Sequence, residues 1–301
     1  KELSMIKTTD NIHFIGLGNM GFPMAGHLAN AGFNVSVFNR TPSKSSNWLE
    51  NFSGTALSTP TANIENSNVV ILCVSKDEDV RELLTGDNGI IFKLSANTVI
   101  IDHSTTSAQL AIEMANAASE YGCFYVDAPV SGGQQGAING QLSLMVGCPA
   151  EVFKQVQTAT APYTKAIVHM GPVGSGQKTK MVNQICVAGL IEALAEGLFF
   201  AEQAGLDTQK VMDVVSQGAA SSWQLVNRHK TMIAGEYEHG FAVDLMQKDL
   251  AICLQEASEL KIELPATRAV SGFYADLQAD QLGHCDTSAL LLRLQKRKSA
   301  G

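Results

Sequence analysis

A glycine-rich segment near the start of the chain has the residue types and spacing of a phosphate-binding turn. Its six residues are Gly16, Leu17, Gly18, Asn19, Met20 and Gly21. Gly16 permits a tight turn, Gly18 lets the backbone approach a pyrophosphate, and Gly21 lets the following helix pack closely on the strand. An apolar run precedes the segment and a helix-like run follows it, so the N-terminus of that helix can face an anion. The segment therefore predicts dinucleotide binding; a glycine-rich turn without a ligand is the alternative.

A second polar cluster lies where the next strand is expected to end. A carboxylate at that position bonds the ribose 2′-hydroxyl of NAD and repels the 2′-phosphate of NADP, but this chain has Asn39 there. Arg40 follows, and then Thr41 and Pro42, which suit the first positions of a helix. Because Arg40 and Lys44 add positive charge to that helix N-terminus, the cluster predicts NADP(H) over NAD(H). The alternative is an ordinary surface loop.

A lysine and an asparagine lie three residues apart in a long, mostly apolar helix-like stretch. At about 100° per residue, Glu192 and Glu196 define the predicted solvent face of this helix, and Lys178 falls on it. Lys180 and Asn183 fall on the side that should face protein, where a lysine needs a partner or a cavity. Since desolvation favours the neutral amine, Lys180 is a candidate acid–base group, and Asn183 can hold a substrate oxygen or the lysine. The alternative is that the helix begins after Lys180, which then lies in solvent.

Two further turns offer polar groups at strand ends. Ser131, Gly132 and Gly133 follow a strand-like run, and backbone N–H groups in such a turn can converge on an anion such as a substrate carboxylate. A simple loop is equally compatible with these residues. His103 and Ser104 also follow a strand, at the sheet edge where open α/β folds bind ligands. Ser104 is equally a candidate helix N-cap, and no carboxylate or nucleophile is placed to form a relay with His103.

The elements that must position these groups fall into two patterns. Up to about residue 171, short β-rich runs alternate with helix-like stretches, which indicates βαβ units around a largely parallel sheet. The predicted strands cover residues 11–15, 34–38, 68–74, 98–101, 124–126, 142–146 and 166–169. The runs at 69–74 and 99–101 are apolar throughout, as in strands covered on both faces. Beyond residue 171 only helical stretches remain, the longest from about 177 to 203.

This 301-residue chain therefore predicts a Rossmann-type, doubly wound, mostly parallel α/β domain followed by an all-helical domain. We place the NADP-binding domain at 11–172 and the helical substrate and oligomerisation domain at 173–301, beginning with a long interdomain helix. The helical half is rich in Ala, Leu and Val and must cover its apolar faces. We therefore expect a homodimer or homotetramer.

Composition and charge exclude several classes of protein. Asp and Glu outnumber Lys and Arg by 29 to 21, and the net charge of −8 argues against general binding to nucleic acid. The longest apolar run, at 185–201, is interrupted by two glutamates and falls short of the roughly 20 residues of a membrane span, so no membrane segment is expected. The first ten residues show no signal-peptide pattern, which predicts a cytoplasmic location. The six cysteines show no CxxC or CxxH spacing, so they are expected to be reduced core residues without a metal.

Five motifs, in this order, resemble those of the β-hydroxyacid dehydrogenase family, which is related to 3-hydroxyisobutyrate dehydrogenase. Within that family the chain is most similar in look to tartronate semialdehyde and glyoxylate–succinic semialdehyde reductases. The motifs lie at residues 16–25, 102–105, 127–133, 174–183 and 248–250. The resemblance spans nearly the whole chain, from about residue 11 to 294.

The resemblance implies roles for individual residues. Lys180 would be the catalytic lysine, Asn183 would assist it, and the 131–133 turn would hold the substrate carboxylate. The implied cofactor contacts are Val74, Ser75, Thr105 and Lys248. The chain departs from the family pattern at Gln184, where relatives often have a second Asn, and at Ser75, where many have Pro. Both departures affect expected substrate preference more than the chemistry.

The residues and the resemblance together predict reversible hydride transfer between NADP(H) and a small β-hydroxy acid or its semialdehyde or keto acid. Lys180 would protonate the carbonyl oxygen in reduction and accept the hydroxyl proton in oxidation. Imine reductases share the expected architecture but typically carry Asp or Tyr in place of the lysine, and non-catalytic dinucleotide-binding relatives usually lack it; both remain alternatives. A 6-phosphogluconate dehydrogenase would need a much larger helical domain than residues 173–301.

Overall fold

A computed structural model describes residues 5–299 of the chain. The chain divides into two compact units, residues 1–180 and 181–301. The division falls inside one long helix, directly after Lys180.

Nine strands in the described part of the first unit form one sheet. They are β1 (Asn11–Ile15), β2 (Asn34–Phe38), β3 (Thr55–Ala56), β4 (Val69–Leu72), β5 (Val99–Asp102), β6 (Phe124–Asp127), β7 (Val130–Ser131), β8 (Leu142–Gly147) and β9 (Thr164–Gly171). The strand order is β3-β2-β1-β4-β5-β6-β8-β7, and β9 pairs with β8. All pairs are parallel except those that β8 makes with β6 and β7. The predicted Rossmann-type, mostly parallel sheet is confirmed.

Helices cover both faces of this sheet. In the first unit they are α1 (Gly21–Asn30), α2 (Pro42–Asn51), α3 (Asp77–Thr85), α4 (Ala108–Glu120), α5 (Gly133–Ile138) and α6 (Phe153–Thr160). Alternate residues of the central strand β4 enter different cores: Val69 and Ile71 pack in one apolar cluster, and Val70 and Leu72 in another. The uninterrupted apolar run in β4 thus reflects burial on both faces, as the sequence predicts.

The second unit is helical. Its helices are the remainder of α7 (Ser175–Gln203), α8 (Thr208–Val215), α9 (Trp223–Ala234), α10 (Val243–Glu259), α11 (Pro265–Ala279) and α12 (Leu290–Ser299). Its core combines Ile191 and Leu198 of α7 with Leu250 of α10 and Tyr274 and Leu277 of α11. The predicted all-helical second half is confirmed for the described residues.

Helix α7 corrects two expectations. It begins at Ser175, so Lys180 lies within it, and the alternative of a helix that starts after Lys180 is wrong. Glu192, which the sequence placed on the solvent face, is only 7% exposed, whereas Lys178 and Glu196 are exposed. Burial and the charge of Glu196 raise the pKa of Glu192 to about 7, while Arg293 lowers it. A carboxyl that is neutral over much of the pH range tolerates burial, so a glutamate is a poor marker of the solvent face.

Helix α7 is also long and apolar enough, by length and composition alone, to cross a membrane, contrary to the sequence expectation. Its most apolar window of 18 residues is 44% buried in the structure. Ala188, Ile191 and Leu198 pack in the core of the helical unit. A long core helix satisfies the same length and composition criterion, and we interpret α7 as such a helix.

Candidate active site

The glycine-rich turn connects β1 to α1 and has the geometry that a pyrophosphate requires. Gly16 has a φ of +102°, and a Cβ there would lie 2.2 Å from the carbonyl oxygen of Cys73. A Cβ on Gly21 would lie 1.9 Å from the carbonyl oxygen of Gly16, so the backbones of α1 and the turn are in contact with no room for a side chain between them. A Cβ on Gly18, in contrast, would meet no atom within 4 Å. Two glycines are thus needed for folding, and Gly18 leaves the room above the helix N-terminus that a phosphate needs.

Asn39 connects the glycine-rich turn to the loop after β2. Its side-chain oxygen accepts a hydrogen bond of 2.9 Å from the backbone N–H of Leu17, and its amide donates to the carbonyl of Thr41 at 3.2 Å. The sequence predicted this residue as a discriminator between cofactors, but gave no sign that it also braces the turn. An uncharged amide here leaves no carboxylate to repel a 2′-phosphate.

The residues after Asn39 present positive charge at the start of α2. The Arg40 side chain is 92% exposed, and its nearest carboxylate is that of Asp79, 3.8 Å away. Thr41 occupies the N-cap position with Pro42 following, as predicted, but its side chain makes no capping hydrogen bond to α2. The positive end of the α2 helix dipole therefore lies beside two exposed cations, Arg40 and Lys44.

A cleft of about 640 Å³ lies beside the glycine-rich turn in the first unit. Four groups of residues line it: the turn itself, helix α1, helix α2 with Phe52 directly after it, and helix α5, which follows the 131–133 turn. Representative lining residues are Leu17, Gly18, Asn19, Lys44, Asn47 and Gln134. The cleft thus connects the predicted cofactor turn to the helix that begins at the predicted carboxylate-binding turn.

Buried polar groups fix the loops that follow β4 and β5. The backbone N–H of Val74 donates to the Ser104 hydroxyl at 2.9 Å. Asp102 in turn accepts hydrogen bonds from the Ser104 N–H at 2.8 Å and from the Tyr125 hydroxyl at 2.7 Å. Burial raises the pKa of Asp102 to about 6, although these two partners lower it. The implied cofactor contacts Ser75, exposed, and Thr105, partly buried, lie on the loops that this network holds in place.

Ser104 is therefore a link between loops and is not the N-cap of α4. Ser107 caps that helix, since its hydroxyl accepts a hydrogen bond of 3.0 Å from the Leu110 N–H.

His103 has a structural role in the same region. Its Nδ1 lies 2.6 Å from the carbonyl oxygen of Ala128, and its Nε2 lies 2.8 Å from the Tyr163 hydroxyl. Because a carbonyl only accepts, Nδ1 must carry the proton and Nε2 must accept from Tyr163. Burial lowers the pKa of His103 to about 4, so the ring is neutral at pH 7. Both ring nitrogens thus have hydrogen-bonding partners within the protein, which supports the structural role of His103.

Lys180 extends from α7 to the predicted carboxylate-binding turn. Its Nζ donates a hydrogen bond of 2.9 Å to the carbonyl oxygen of Val130, the residue directly before Ser131. The lysine is partly buried. Gly132, with a φ of +127°, and Gly133, with a φ of +60°, adopt conformations that favour glycine, and both are exposed. The structure thus brings together an ammonium and an accessible Ser-Gly-Gly turn that are about 50 residues apart in sequence.

The first turn of α7 is held by groups that sequence reasoning did not assign. The two carboxylate oxygens of buried Asp127 accept hydrogen bonds of 2.8 Å each from the backbone N–H groups of Gly174 and Gln177. Burial raises the pKa of Asp127 to about 6, while the same two hydrogen bonds lower it. The Gln177 side chain accepts from the Thr106 N–H at 3.1 Å and donates to the Ser104 carbonyl at 2.8 Å. A polar residue closing an apolar strand, as Asp127 does, was the one available sequence sign of this role.

The remaining predicted residues, Asn183 and Lys248, lie in the second unit and are joined by two hydrogen bonds and an ion pair. Asn183 donates to the side-chain oxygen of Gln184 at 2.8 Å, and Gln184 donates to Asp249 at 2.6 Å. The Lys248 ammonium lies 3.1 Å from the other oxygen of Asp249. Gln184, one of the two positions where the chain departs from the motifs that it resembles, therefore links Asn183 to Lys248 through buried Asp249.

Two known protein families match this chain, one in each half. The family described as the NAD binding domain of 6-phosphogluconate dehydrogenase matches residues 11–171. The family described as "NAD-binding of NADP-dependent 3-hydroxyisobutyrate dehydrogenase" matches residues 174–294.

Individual relatives match over almost the entire chain. An uncharacterized oxidoreductase of Shewanella frigidimarina is 46% identical, over 96% of this chain and 99% of its own. The 2-hydroxy-3-oxopropionate reductase of Escherichia coli is 36% identical, over 94% of this chain and 96% of its own. The solved structure of Mycobacterium tuberculosis 3-hydroxyisobutyrate dehydrogenase with L-serine superimposes with a TM-score of 0.86 at 28% identity, covering 95% of this chain and 99% of that one.

Proposed function

Because the chain belongs to the β-hydroxyacid dehydrogenase family and is an NAD(P)-dependent oxidoreductase, we propose that it interconverts a small β-hydroxy acid and its semialdehyde or keto acid. We further propose that NADP(H) is the preferred cofactor and that Lys180 is the general acid–base. The observation that carries this proposal is the 2.9 Å hydrogen bond from Lys180 to Val130, which puts the ammonium beside the Ser131-Gly132-Gly133 turn.

The 131–133 turn and Lys180 have different roles toward the substrate. The turn's accessible backbone N–H groups bind the carboxylate and set the position of the neighbouring carbon chain. Lys180 then donates a proton to the oxygen that becomes negative during reduction, and its neutral amine takes the hydroxyl proton during oxidation. A bound nicotinamide dinucleotide supplies or accepts the hydride. The Val130 carbonyl fixes the lysine's direction, and Asn183, three residues farther along α7, assists in holding the substrate oxygen.

The preference for NADP(H) rests on the cluster after β2. Asn39 puts no negative charge beside the ribose, whereas Arg40, Thr41 and Lys44 surround the start of α2 with positive charge and donors. The proposed cofactor set is completed by Gly16, Leu17, Gly18, Asn19, Met20, Gly21, Val74, Ser75, Thr105 and Lys248.

We also propose domains at 11–172 and 173–301, a cytoplasmic location, and assembly as a homodimer or homotetramer. Phe200, Val214 and Trp223 are 71%, 69% and 61% exposed, and such large apolar side chains support assembly through the helical unit.

A substrate panel tests the proposal directly. The purified chain is mixed with NADPH or NADH and with tartronate semialdehyde, succinic semialdehyde or glyoxylate, and kcat/KM is measured from the loss of nicotinamide absorbance. We expect turnover of at least one short carboxylate-bearing aldehyde, higher kcat/KM with NADPH, and loss of turnover in Lys180→Ala. The exposed Lys178→Ala, on the same helix, is the matched control and should behave as wild type.

The same panel distinguishes the competing activities. Binding of NADPH without turnover of any panel member would point to a dinucleotide-binding protein without this activity. Turnover that persists unchanged in Lys180→Ala would remove the lysine from the mechanism while leaving the dehydrogenase assignment in place.

A further inference from the structure

Three metal-ligating side chains meet in the second unit, on residues that the proposed oxidoreductase activity does not use. They come from two loops: Glu238 lies between α9 and α10, and His284 and Cys285 lie between α11 and α12. The Nε2 of His284 is 3.1 Å from Oε1 of Glu238, and the Cys285 sulfur is 3.8 Å from that nitrogen and 3.9 Å from that oxygen. We propose that Glu238, His284 and Cys285 form a zinc site with three protein ligands and one open position.

The three separations match the edges of a zinc coordination tetrahedron. With zinc bonds of about 2.0–2.2 Å to nitrogen and oxygen and about 2.3 Å to sulfur, tetrahedral angles put neighbouring ligand atoms about 3.4 to 3.6 Å apart. Each separation in the structure lies within about 0.3 Å of that range. One ion can therefore contact all three atoms with shifts no larger than side-chain adjustment.

The donor set selects the ion. One thiolate, one imidazole and one carboxylate suit a borderline-soft divalent cation, whereas magnesium and calcium take oxygen ligands. The Cys285 residue is 3% exposed, but the side chains of Glu238 and His284 are 77% and 61% exposed. The sulfur thus forms the floor of the site, and an ion reaches it from solvent by replacing the thiol proton.

The backbone holds the two loops in register before any ion binds. Residues adjacent to the ligands exchange hydrogen bonds across the loops: the Asp286 N–H donates to the Tyr237 carbonyl at 2.8 Å, and the Val243 N–H donates to the Cys285 carbonyl at 2.8 Å. The carboxylate of buried Asp286 also accepts from the Phe241 N–H at 2.9 Å. Because the ligands are preorganised, zinc needs to order only two exposed side chains. It would then act as a clip between the α9–α10 and α11–α12 loops.

Sequence spacing gave no sign of this site. Glu238 and His284 are 46 residues apart, and no CxxC or CxxH pattern is present, so the sequence predicted no metal. The ligands meet only because the helices between them fold back and bring the two loops together.

Titration of the full chain with the metal alone tests the site. After removal of metal with a chelator, Co²⁺ is added first as a spectroscopic probe and Zn²⁺ second as a competitor. We expect one Co²⁺ per chain, with a thiolate-to-cobalt charge-transfer band that Zn²⁺ abolishes, and a rise in Tm on adding Zn²⁺. Glu238→Gln and His284→Asn, at exposed positions, should fold normally and weaken zinc binding by at least about 100-fold, the upper end of the loss seen for second-shell partners.

Two variants control for adventitious binding. Cys186→Ser removes an exposed thiol elsewhere in the unit, and His239→Asn removes a neighbouring imidazole that instead lies 3.0 Å from the Glu236 carbonyl oxygen. Both should keep the wild-type zinc affinity and the charge-transfer band. The proposal is overturned if cobalt gives no thiolate band, if either ligand variant keeps the wild-type affinity, or if Cys186→Ser abolishes the band.

Discussion

Lys180 and Arg40 are two of the cations of the first unit that the proposed function uses, and their surroundings differ sharply. Lys180 is partly buried, hydrogen-bonded to a backbone carbonyl, and carried by a helix whose first turn is bonded to Asp127. Arg40 extends from a loop with 92% of its side chain exposed, and its nearest carboxylate is 3.8 Å away. We call these surroundings the lysine region and the arginine region.

The difference separates two physical tasks. Proton transfer needs an atom held within a fraction of an ångström of the reacting oxygen, and buried hydrogen bonds provide that precision. Discrimination between cofactors needs only a favourable charge near a phosphate, which an exposed side chain on a loop provides. Changes in the lysine region should therefore affect kcat strongly, and changes in the arginine region should affect cofactor affinity moderately.

The largest effect is expected for Lys180→Ala. Loss of the acid–base group should lower kcat by about 10²- to 10⁴-fold, the usual contribution of a positioned general acid. The Kd of NADPH should stay near the wild-type value, because the glycine-rich turn is untouched. Steady-state kinetics and fluorescence titration of NADPH measure the two quantities separately. A fall in cofactor affinity comparable to the fall in kcat would contradict the proposal that the lysine region controls kcat and the arginine region controls cofactor affinity.

The next largest effect is expected for Asp127→Asn. This variant changes the hydrogen bonds that hold the start of α7, the helix that carries Lys180, but leaves Lys180 unchanged. An amide offers one acceptor where the carboxylate has two, so a donor N–H of the side chain would face the Gly174 or Gln177 N–H. A lost buried hydrogen bond with a stranded donor costs about 1–3 kcal/mol. If part of that cost misplaces Lys180, kcat should fall about 10- to 100-fold with little change in the Kd of NADPH.

A matched change elsewhere isolates that effect. Asp207 also caps a helix, accepting from the Lys210 N–H at 3.1 Å, but at an exposed position in the helical unit. Asp207→Asn should leave kcat unchanged. Equal loss of kcat in both variants would mean that helix capping in general, and not the position of Lys180, controls the rate.

The sequence predicted the sheet better than its edges. The bounds of β1 and β2 were predicted to the residue, because an apolar strand pattern ends at clear turn residues. β3 and β7 were missed, since two residues are too few to show any period. The antiparallel pairing of β8 with β6 and β7 depends on the path of the chain through the 131–133 turn, which no local pattern records.

Within the candidate site, the sequence identified residues that stand out locally and missed those whose partners are distant. Lys180 was identified because a charged side chain on the protein-facing side of an apolar helix needs a partner or a cavity. Asp127 and Gln177 were not assigned, because their partners are backbone groups 47 and 71 residues away. Glu192 was placed wrongly because the pattern assumes a charged carboxylate, whereas burial raises its pKa to about 7.

In the arginine region, Arg40→Ala should raise the Kd of NADPH about tenfold and leave the Kd of NADH unchanged. A charge-assisted hydrogen bond is worth about 1.5–3 kcal/mol, and solvent exposure reduces that to ~1.4 kcal/mol, or a factor of ten. Titration with both cofactors at fixed ionic strength gives the ratio. Arg81→Ala, which breaks an exposed ion pair with Glu113 in the same unit, is the control and should leave the ratio unchanged. An unchanged ratio in Arg40→Ala would remove the basis for the NADP(H) preference.

The smallest effect is expected for Lys44→Ala, and it sharpens the location of the phosphate. Lys44 is exposed on the first turn of α2 and lines the cleft beside the glycine-rich turn. If the 2′-phosphate lies at Arg40, Lys44 acts only through screened charge, worth about 0.2–1 kcal/mol, so the Kd of NADPH should rise by a factor of about 1.4 to 5. That rise should shrink as salt is added, and Lys154→Ala on α6 should show none. A larger loss in Lys44→Ala than in Arg40→Ala would place the phosphate in the cleft, because only a direct contact there gives an exposed lysine the greater share of the binding energy.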